Sequence, residues 1–251
     1  MNETARLSLF VITKNEEKNI AKCILSARNI VNEIIVVDSF SQDKTALICR
    51  DLGAIVFEHK FENFTQQKNF ALSKVSGNWA LSLDADETLT PQLADEIKQA
   101  ITSGQYDGYQ LARVNNLWGK QMHHSGLKKE FLVRLVRTKN AKFTGGLVHE
   151  KLNVTGKVGH LKNVFEHHPY DSIEMYLQKL NHHTTLAAKT MYQNGKCFSA
   201  ILTVARIPFD FSKRYFFQLG FLDGWRGFVW AALSAFEPFV ESTKLWLLER
   251  K

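Results

Sequence analysis

Trp79-Ala-Leu-Ser-Leu83, running directly into Asp84-Ala-Asp86-Glu87, is the stretch on which the reading turns: an apolar strand with carboxylates at i and i+2 on its carboxyl end. Alone, an Asp-x-Asp pair is common in capping turns and decides little. Two upstream apolar runs end the same way. Leu7-Ser-Leu-Phe-Val-Ile-Thr13 leads into Lys14-Asn15-Glu16, and Glu33-Ile-Ile-Val-Val-Asp38 leads into Ser39. Helical spacing is expected between them over 17–29, with Ile20, Ile24, Leu25 and Ala27 on one face. Ser41 or Asp43 is placed to cap a helix reaching about Leu52. A third strand is expected over 54–57 and a helix over 65–74, with Gly77-Asn78 as a break before Trp79. Thr90-Pro91 then opens another helix, threonine as N-cap and proline in the first helical position. Strands alternating with helices predict an α/β fold with a mostly parallel sheet.

In such a sheet ligands gather outside the carboxyl ends of the strands, so three polar strand ends in succession predict one binding site. Paired carboxylates there suit a hard divalent cation, Mn2+ or Mg2+, which takes oxygen ligands and bridges phosphate oxygens. A diphosphate-bearing substrate follows. Neither G-x-x-x-x-G-K-[ST] nor G-x-G-x-x-G is present after the first strand, which argues against a P-loop enzyme and a dinucleotide dehydrogenase.

Four segments in order, Phe10-Val-Ile-Thr-Lys-Asn-Glu-Glu-Lys-Asn-Ile20, Ile34-Ile-Val-Val-Asp-Ser-Phe-Ser-Gln-Asp-Lys-Thr45, Gln67-Lys-Asn-Phe-Ala71 and Leu83-Asp-Ala-Asp-Glu87, resemble the family 2 glycosyltransferases, which have the GT-A fold. Gly146-Leu-Val-His-Glu150 and Gly220-Phe-Leu-Asp-Gly224 resemble, more narrowly, the WaaE/KdtX-like lipopolysaccharide-core β-glucosyltransferases, so that the likeness covers essentially the whole chain. The resemblance implies a GT-A domain over 1–200, with a nucleotide-sugar-binding half over 1–104 and an acceptor half over 105–200, followed by a helical extension over 201–251. It implies an inverting, metal-dependent transfer of a hexose, glucose from UDP-glucose, to a heptose of the lipopolysaccharide inner core. Thr13 and Glu16 would line the nucleotide pocket, Asp38 would accept the uracil N–H, and Lys68 would face the nucleotide or its phosphates. Asp84 would touch the ribose or the metal, and Asp86 would hold the metal that neutralises the leaving diphosphate. Glu150 would be the base that takes the acceptor proton, with His149 orienting it or contacting phosphate. Other readings stand beside these: Asp38 as a capping residue of its turn, Lys68 as an exposed helix lysine, and Glu150 as the partner of Lys151.

Charge divides the chain. The whole carries +7, and 113–168 alone holds about +8, leaving the rest near −1. This tract is either a solvated basic face or a site for an anionic partner. Beyond Arg206 the chain is rich in aromatic residues interleaved with Lys213, Arg214, Arg226 and Lys244. That mixture suits a water–lipid interface, and equally a helix packed on the domain or in a dimer. Together the two regions predict an anionic glycolipid acceptor on a membrane surface, and no nucleic-acid partner.

Leu7 to Ile12 is too short for a signal sequence, no run approaches a membrane span, and Cys23, Cys49 and Cys197 form no C-x-x-C pair. The expectation is a cytoplasmic protein, peripheral on the inner face of the cytoplasmic membrane. The pairs His123-His124, His167-His168 and His182-His183 lack zinc-site spacing, although His167 or His168 could reach the active-site metal or diphosphate. The rival functions are a nucleotidyltransferase acting on sugar phosphates, whose glycine-rich basic loop is missing after Thr13, and a non-enzymatic basic module binding membrane or nucleic acid, which would leave the three polar strand ends unexplained.

Overall fold

The computed structural model describes residues 5–145 and 150–250. Strands β1 (Leu7–Thr13), β2 (Glu33–Asp38), β3 (Ile55–Glu58) and β4 (Trp79–Asp84) alternate with helices α1 (Ile20–Ala27), α2 (Thr45–Asp51) and α3 (Phe64–Ser73). There follow β5 (Glu87–Leu89), α4 (Pro91–Ser103), β6 (Gly108–Leu117), β7 (Lys120–Met122) and β8 (Glu130–Arg137). After them come β9 (Ala141–Gly145), β10 (Glu150–Val154) and β11 (Val158–Tyr170). Helices α5 (Ile173–Gln193), α6 (Ala200–Ser212) and α7 (Trp225–Glu249) close the chain.

One sheet runs β3-β2-β1-β4-β8-β6-β11-β5, with β7 on β6, and β9 and β10 form a separate antiparallel pair. The first four strands are parallel, with β1 between β2 and β4; β8 then joins β4 antiparallel. The order turns back at β1, because the chain returns through α3 to lay β4 on the other side, and such a reversal leaves a crevice at the strand ends.

Packing divides the described residues into two units, one of 5–113 with 130–167 and the other of 114–129 with 168–250. In the first, alternation along β1 fixes both faces of the sheet. Leu7, Leu9 and Val11 pack in a core with Ile20 and Ile24 of α1 and Leu93 and Ile97 of α4. Phe10 lies in the opposite core with Ala71 and Leu72 of α3, Phe143 and Leu152. Each such buried leucine, isoleucine or phenylalanine stabilises the fold by about 1.5–3 kcal/mol. Apolar contact on both faces explains why β1, β2 and β4 read as unbroken hydrophobic runs.

The second unit is helical. Tyr176, Leu180 and Ala188 of α5 and Ala231, Ala235 and Leu245 of α7 are buried. Lys244 Nζ donates to Asn181 O and Oδ1 and to the Thr184 and Thr185 hydroxyls at 2.7–2.8 Å, tying α7 to α5. Among the described residues no helix is long and apolar enough to cross a membrane.

Local chemistry adjusts several expected boundaries. Thr90 caps α4 as expected, its hydroxyl accepting from Leu93 N at 3.3 Å, with Pro91 next. Helix α1 starts only at Ile20, because Glu16 to Asn19 form a turn in which Asn19 N donates to Glu16 O at 3.0 Å. Helix α2 starts at Thr45, the Asp43 carboxylate accepting from Thr45 N at 3.0 Å and Glu17 N at 3.2 Å. The largest addition is β11, a 13-residue strand almost all of which the sequence reading assigns to no element.

Candidate active site

The register of the parallel strands places the three polar ends side by side: Thr13 pairs with Asp38, and Ile12 with Asp84. Thr13 is buried, and its hydroxyl has no hydrogen-bond partner among the described residues. A buried hydroxyl left so costs on the order of 1–3 kcal/mol, which a ligand's polar group would relieve. Asp38 is buried beside it and closes its own turn: Oδ2 accepts Ser41 N at 2.8 Å and Oδ1 accepts the Ser41 hydroxyl at 2.5 Å. The capping geometry weighed for Asp38 is therefore present, and each oxygen retains a lone pair for a further donor. Glu16 anchors the loop after β1, its carboxylate accepting Asn19 Nδ2 at 2.9 Å and its N–H donating to the Thr45 hydroxyl at 2.8 Å.

Past β4 the site becomes a charge network. Lys68, carried by α3, is buried rather than exposed, and its Nζ bridges Asp84 Oδ1 at 2.9 Å and Glu150 Oε1 at 2.8 Å. Glu150 is thus held by Lys68, 82 positions away in sequence, and not by its neighbour Lys151. Arg134 of β8 reaches the other oxygen of Asp84 at 2.8 Å and Glu87 Oε1 at 2.6 Å, both through Nη2. Arg113 adds a longer contact to Glu87, 3.5 Å, and pairs with Glu130 at 2.5 Å. The second Glu87 oxygen accepts Asp84 N at 2.9 Å, so the carboxyl end of β4 is braced by the residue three positions on.

Burial by itself would raise the pKa of Asp84, but Arg134 and Lys68 outweigh it and hold the carboxyl well below the usual carboxylate range. Glu87, wholly buried, goes the other way: desolvation pushes it up, Arg134 opposes, and the charges of Asp84 and Asp86 add to the rise. For Arg134, burial disfavours the charge, yet Asp84 and Glu87 keep the guanidinium firmly protonated.

Asp86 stands outside this network of lysine and arginine. Its Oδ2 lies 3.4 Å from His167 Nε2, and β5 and β11 pair so that His167 is opposite Glu87. Asp86 and His167 are two donors for one cation; among the described residues no cluster of three acidic, histidine or cysteine side chains is placed to hold a metal ion. His149 lies outside the described residues.

The structure therefore joins Thr13, Asp38 and Asp84 by register, and Lys68, Asp84 and Glu150 by direct contact. Sequence reasoning missed Arg134 and the brace formed by Glu87. The signal was there: Phe131-Leu-Val-Arg134-Leu-Val carries an arginine inside an apolar strand, where a cation survives only with a buried partner. His167 was noticed, and its contact with Asp86 follows from the pairing of β11 with β5, which the sequence reading did not contain.

Comparison with known proteins gives the family. The family model for glycosyl transferase family 2 matches residues 8–153. An uncharacterized glycosyltransferase of Rickettsia typhi is 33% identical over 98% of this chain and 88% of its own. The lipopolysaccharide core biosynthesis glycosyltransferase LpsC of Rhizobium meliloti is 29% identical over 96% of this chain and 92% of its own. Among solved structures, glucosyl-3-phosphoglycerate synthase from Mycobacterium tuberculosis overlaps 46% of this chain and 44% of that one, at 23% identity and a TM-score of 0.37. The sheet with helices on both faces, the polar strand ends and the matched family model carry one conclusion: the chain is a GT-A glycosyltransferase and belongs to glycosyltransferase family 2.

Proposed function

We propose that this glycosyltransferase moves a hexose, glucose from UDP-glucose, with inversion, onto a heptose of the lipopolysaccharide inner core, working as a peripheral protein on the inner face of the cytoplasmic membrane. The observation that carries the donor half is the in-register pairing of Thr13 with Asp38 and of Ile12 with Asp84. It supports a nucleotide lying across the ends of β2, β1 and β4, with Asp38 toward the base and Asp84 toward the ribose. The full-length likeness to LpsC supports the acceptor class.

Asp86 and His167 fit a divalent cation as a partial set, because Mg2+-like ions bind through one or two protein groups and fill their remaining positions with phosphate oxygens and water. Asp84 completes the Asp-x-Asp pair, with its oxygens turned to Lys68 and Arg134. Bound there, Mn2+ or Mg2+ would neutralise charge on the leaving diphosphate. Lys68, with Glu16 on the neighbouring loop, gives the donor side its polar lining. Glu150 takes the proton from the attacking heptose hydroxyl, on the face opposite the leaving group as inversion requires. Its contact with Lys68 links the donor and acceptor sides of the reaction through one ammonium group.

Calorimetric titration with UDP, UDP-glucose, UDP-galactose, UDP-N-acetylglucosamine, ADP-heptose and GDP-mannose, each with Mn2+ and with EDTA, tests the reading. The expected outcome is metal-dependent binding confined to the uridine compounds and tightest for UDP-glucose. Equal binding in EDTA would remove the metal, and preference for an adenine or guanine nucleotide would remove the donor.

A further inference from the structure

The helical unit exposes more apolar side chain than a protein surface ordinarily carries in one stretch of chain. Ile201 is 83% exposed, Phe209 66%, Phe217 82% and Trp225 74%, and Leu202, Val204, Phe216, Phe221 and Leu222 are exposed with them. All lie between Ala200 and Trp225, on α6, on the turn joining it to α7 and at the first residue of α7. Isolated exposed leucines are ordinary; a run of this kind marks a contact surface.

The turn is built to keep its shape. A π-helical turn, Lys213–Phe217, prolongs α6, and a short 3-10 turn, Gly220–Asp223, precedes α7. Gly220 and Gly227 approach so closely that a Cβ on Gly227 would collide with the carbonyl of Gly220, while one on Gly220 would strike the Ser125 hydroxyl. Buried Asp223 accepts His123 N at 3.2 Å and His124 N at 2.9 Å, and Ser125 N donates to Gln218 O at 2.9 Å. The loop 123–129, with exposed Lys128 and Lys129, is thereby fastened to the aromatic turn.

Along the segment the exposed charge has one sign. Between 200 and 226 the basic residues are Arg206, Lys213, Arg214 and Arg226, and the acidic ones Asp210 and Asp223. Asp210 lies 3.5 Å from Arg206, and Asp223 is buried among its hydrogen bonds. Lys128, Lys129, Lys213 and Arg226 remain as an exposed cationic rim on an apolar surface. A second copy of the chain placed symmetrically on this patch would set that rim against itself. An anionic bilayer offers the complement, acyl chains for the aromatic rings and phosphates for the lysines and arginines.

We propose that segment 200–225, rather than the body of α7 beyond its first residue, is the element that docks the protein on an anionic membrane, with Phe217 and Trp225 entering the headgroup and acyl boundary. This rests on the membrane part of the proposed function and is independent of the transfer chemistry. The test is co-sedimentation of the full chain with vesicles of phosphatidylglycerol and phosphatidylethanolamine, and with vesicles of phosphatidylcholine alone. The wild type, the Phe217→Ser/Trp225→Ser double variant and the Lys128→Glu/Lys213→Glu double variant are compared, with melting temperature and UDP binding as controls on the fold. The expected result is salt-sensitive binding of the wild type to anionic vesicles only, weakened at least about tenfold in either variant with both controls unchanged. Serine variants that pellet like the wild type would overturn the docking segment while leaving a membrane protein. A wild type that binds no vesicle would overturn both. A wild-type dimer that the serine variant dissociates, without vesicle binding, would assign the patch to a second copy and overturn the proposal.

Discussion

Arg134 is the cation on which the carboxyl end of β4 depends, because among the described residues it alone touches both Asp84 and the wholly buried Glu87. Arg134→Met would keep much of the bulk and remove the charge, leaving Glu87 with the Asp84 N–H and, as its cation, the longer contact from Arg113. The expected loss is about 3–5 kcal/mol in urea unfolding, as for other buried pairs broken on one side; a change under about 1 kcal/mol would mean that the brace is dispensable. Cysteine chemistry gives a second check at this scale. Burial, with a smaller push from Asp38, moves the Cys49 thiol up to about 12, and burial pushes Cys23 well up too, whereas Cys197 is exposed. Iodoacetamide on the native protein at pH 8 should label Cys197 alone, and modification of Cys23 or Cys49 would contradict the packing of α1 and α2. Single residues were legible where they closed an apolar run, as Asp38 and Asp84 do. Arg134 left a local mark, a cation inside an apolar strand, but its partners could not be read, because pairing β8 with β4 across 50 positions leaves none.

At the scale of elements, β1, β2 and β4 could be read because both faces of these strands are buried and the sequence repeats that as continuous hydrophobicity. Strand β11 could not. Its buried Leu161 and Phe165 are separated by Lys162, Asn163 and Val164, and Glu166, His167, His168 and Pro169 follow, so no regular apolar alternation marks it. What holds its middle is a clamp from α4: the Glu96 carboxylate accepts Lys162 N at 2.8 Å, Asn163 N at 2.9 Å and Asn163 Nδ2 at 2.8 Å. Burial would raise the Glu96 pKa, and these donors reverse that and lower it. A lowered carboxyl contributes stability that is present above its unfolded value, about 4.3, and is lost as pH falls through the folded one. Glu96→Gln should therefore melt below the wild type at pH 7 and close to it at pH 3. A gap that persists at pH 3 would mean that the clamp acts through packing and not through charge.

For the whole molecule, the basic tract read as one feature resolves into several jobs. Arg113 and Arg134 neutralise carboxylates inside the first unit, and Arg137 lies over Trp79 at 4.9 Å. Lys128 and Lys129 belong to the helical unit and its cationic rim. Net charge along a sequence could not separate these uses, because burial decides which cations are left to meet a partner. The central claim is that Asp86 serves the donor and its metal while Glu150 serves the acceptor proton. The measurement that tests it most directly compares UDP-glucose binding in Mn2+ with glucosyl transfer to a heptose acceptor in wild type, Asp86→Ala and Glu150→Gln. Asp86→Ala should lose metal-dependent binding and transfer together. Glu150→Gln should bind the donor within a few-fold of wild type and lose transfer by about 100-fold or more, the size of general-base contributions. Normal transfer by Glu150→Gln, or unchanged metal-dependent binding by Asp86→Ala, would contradict the assignment.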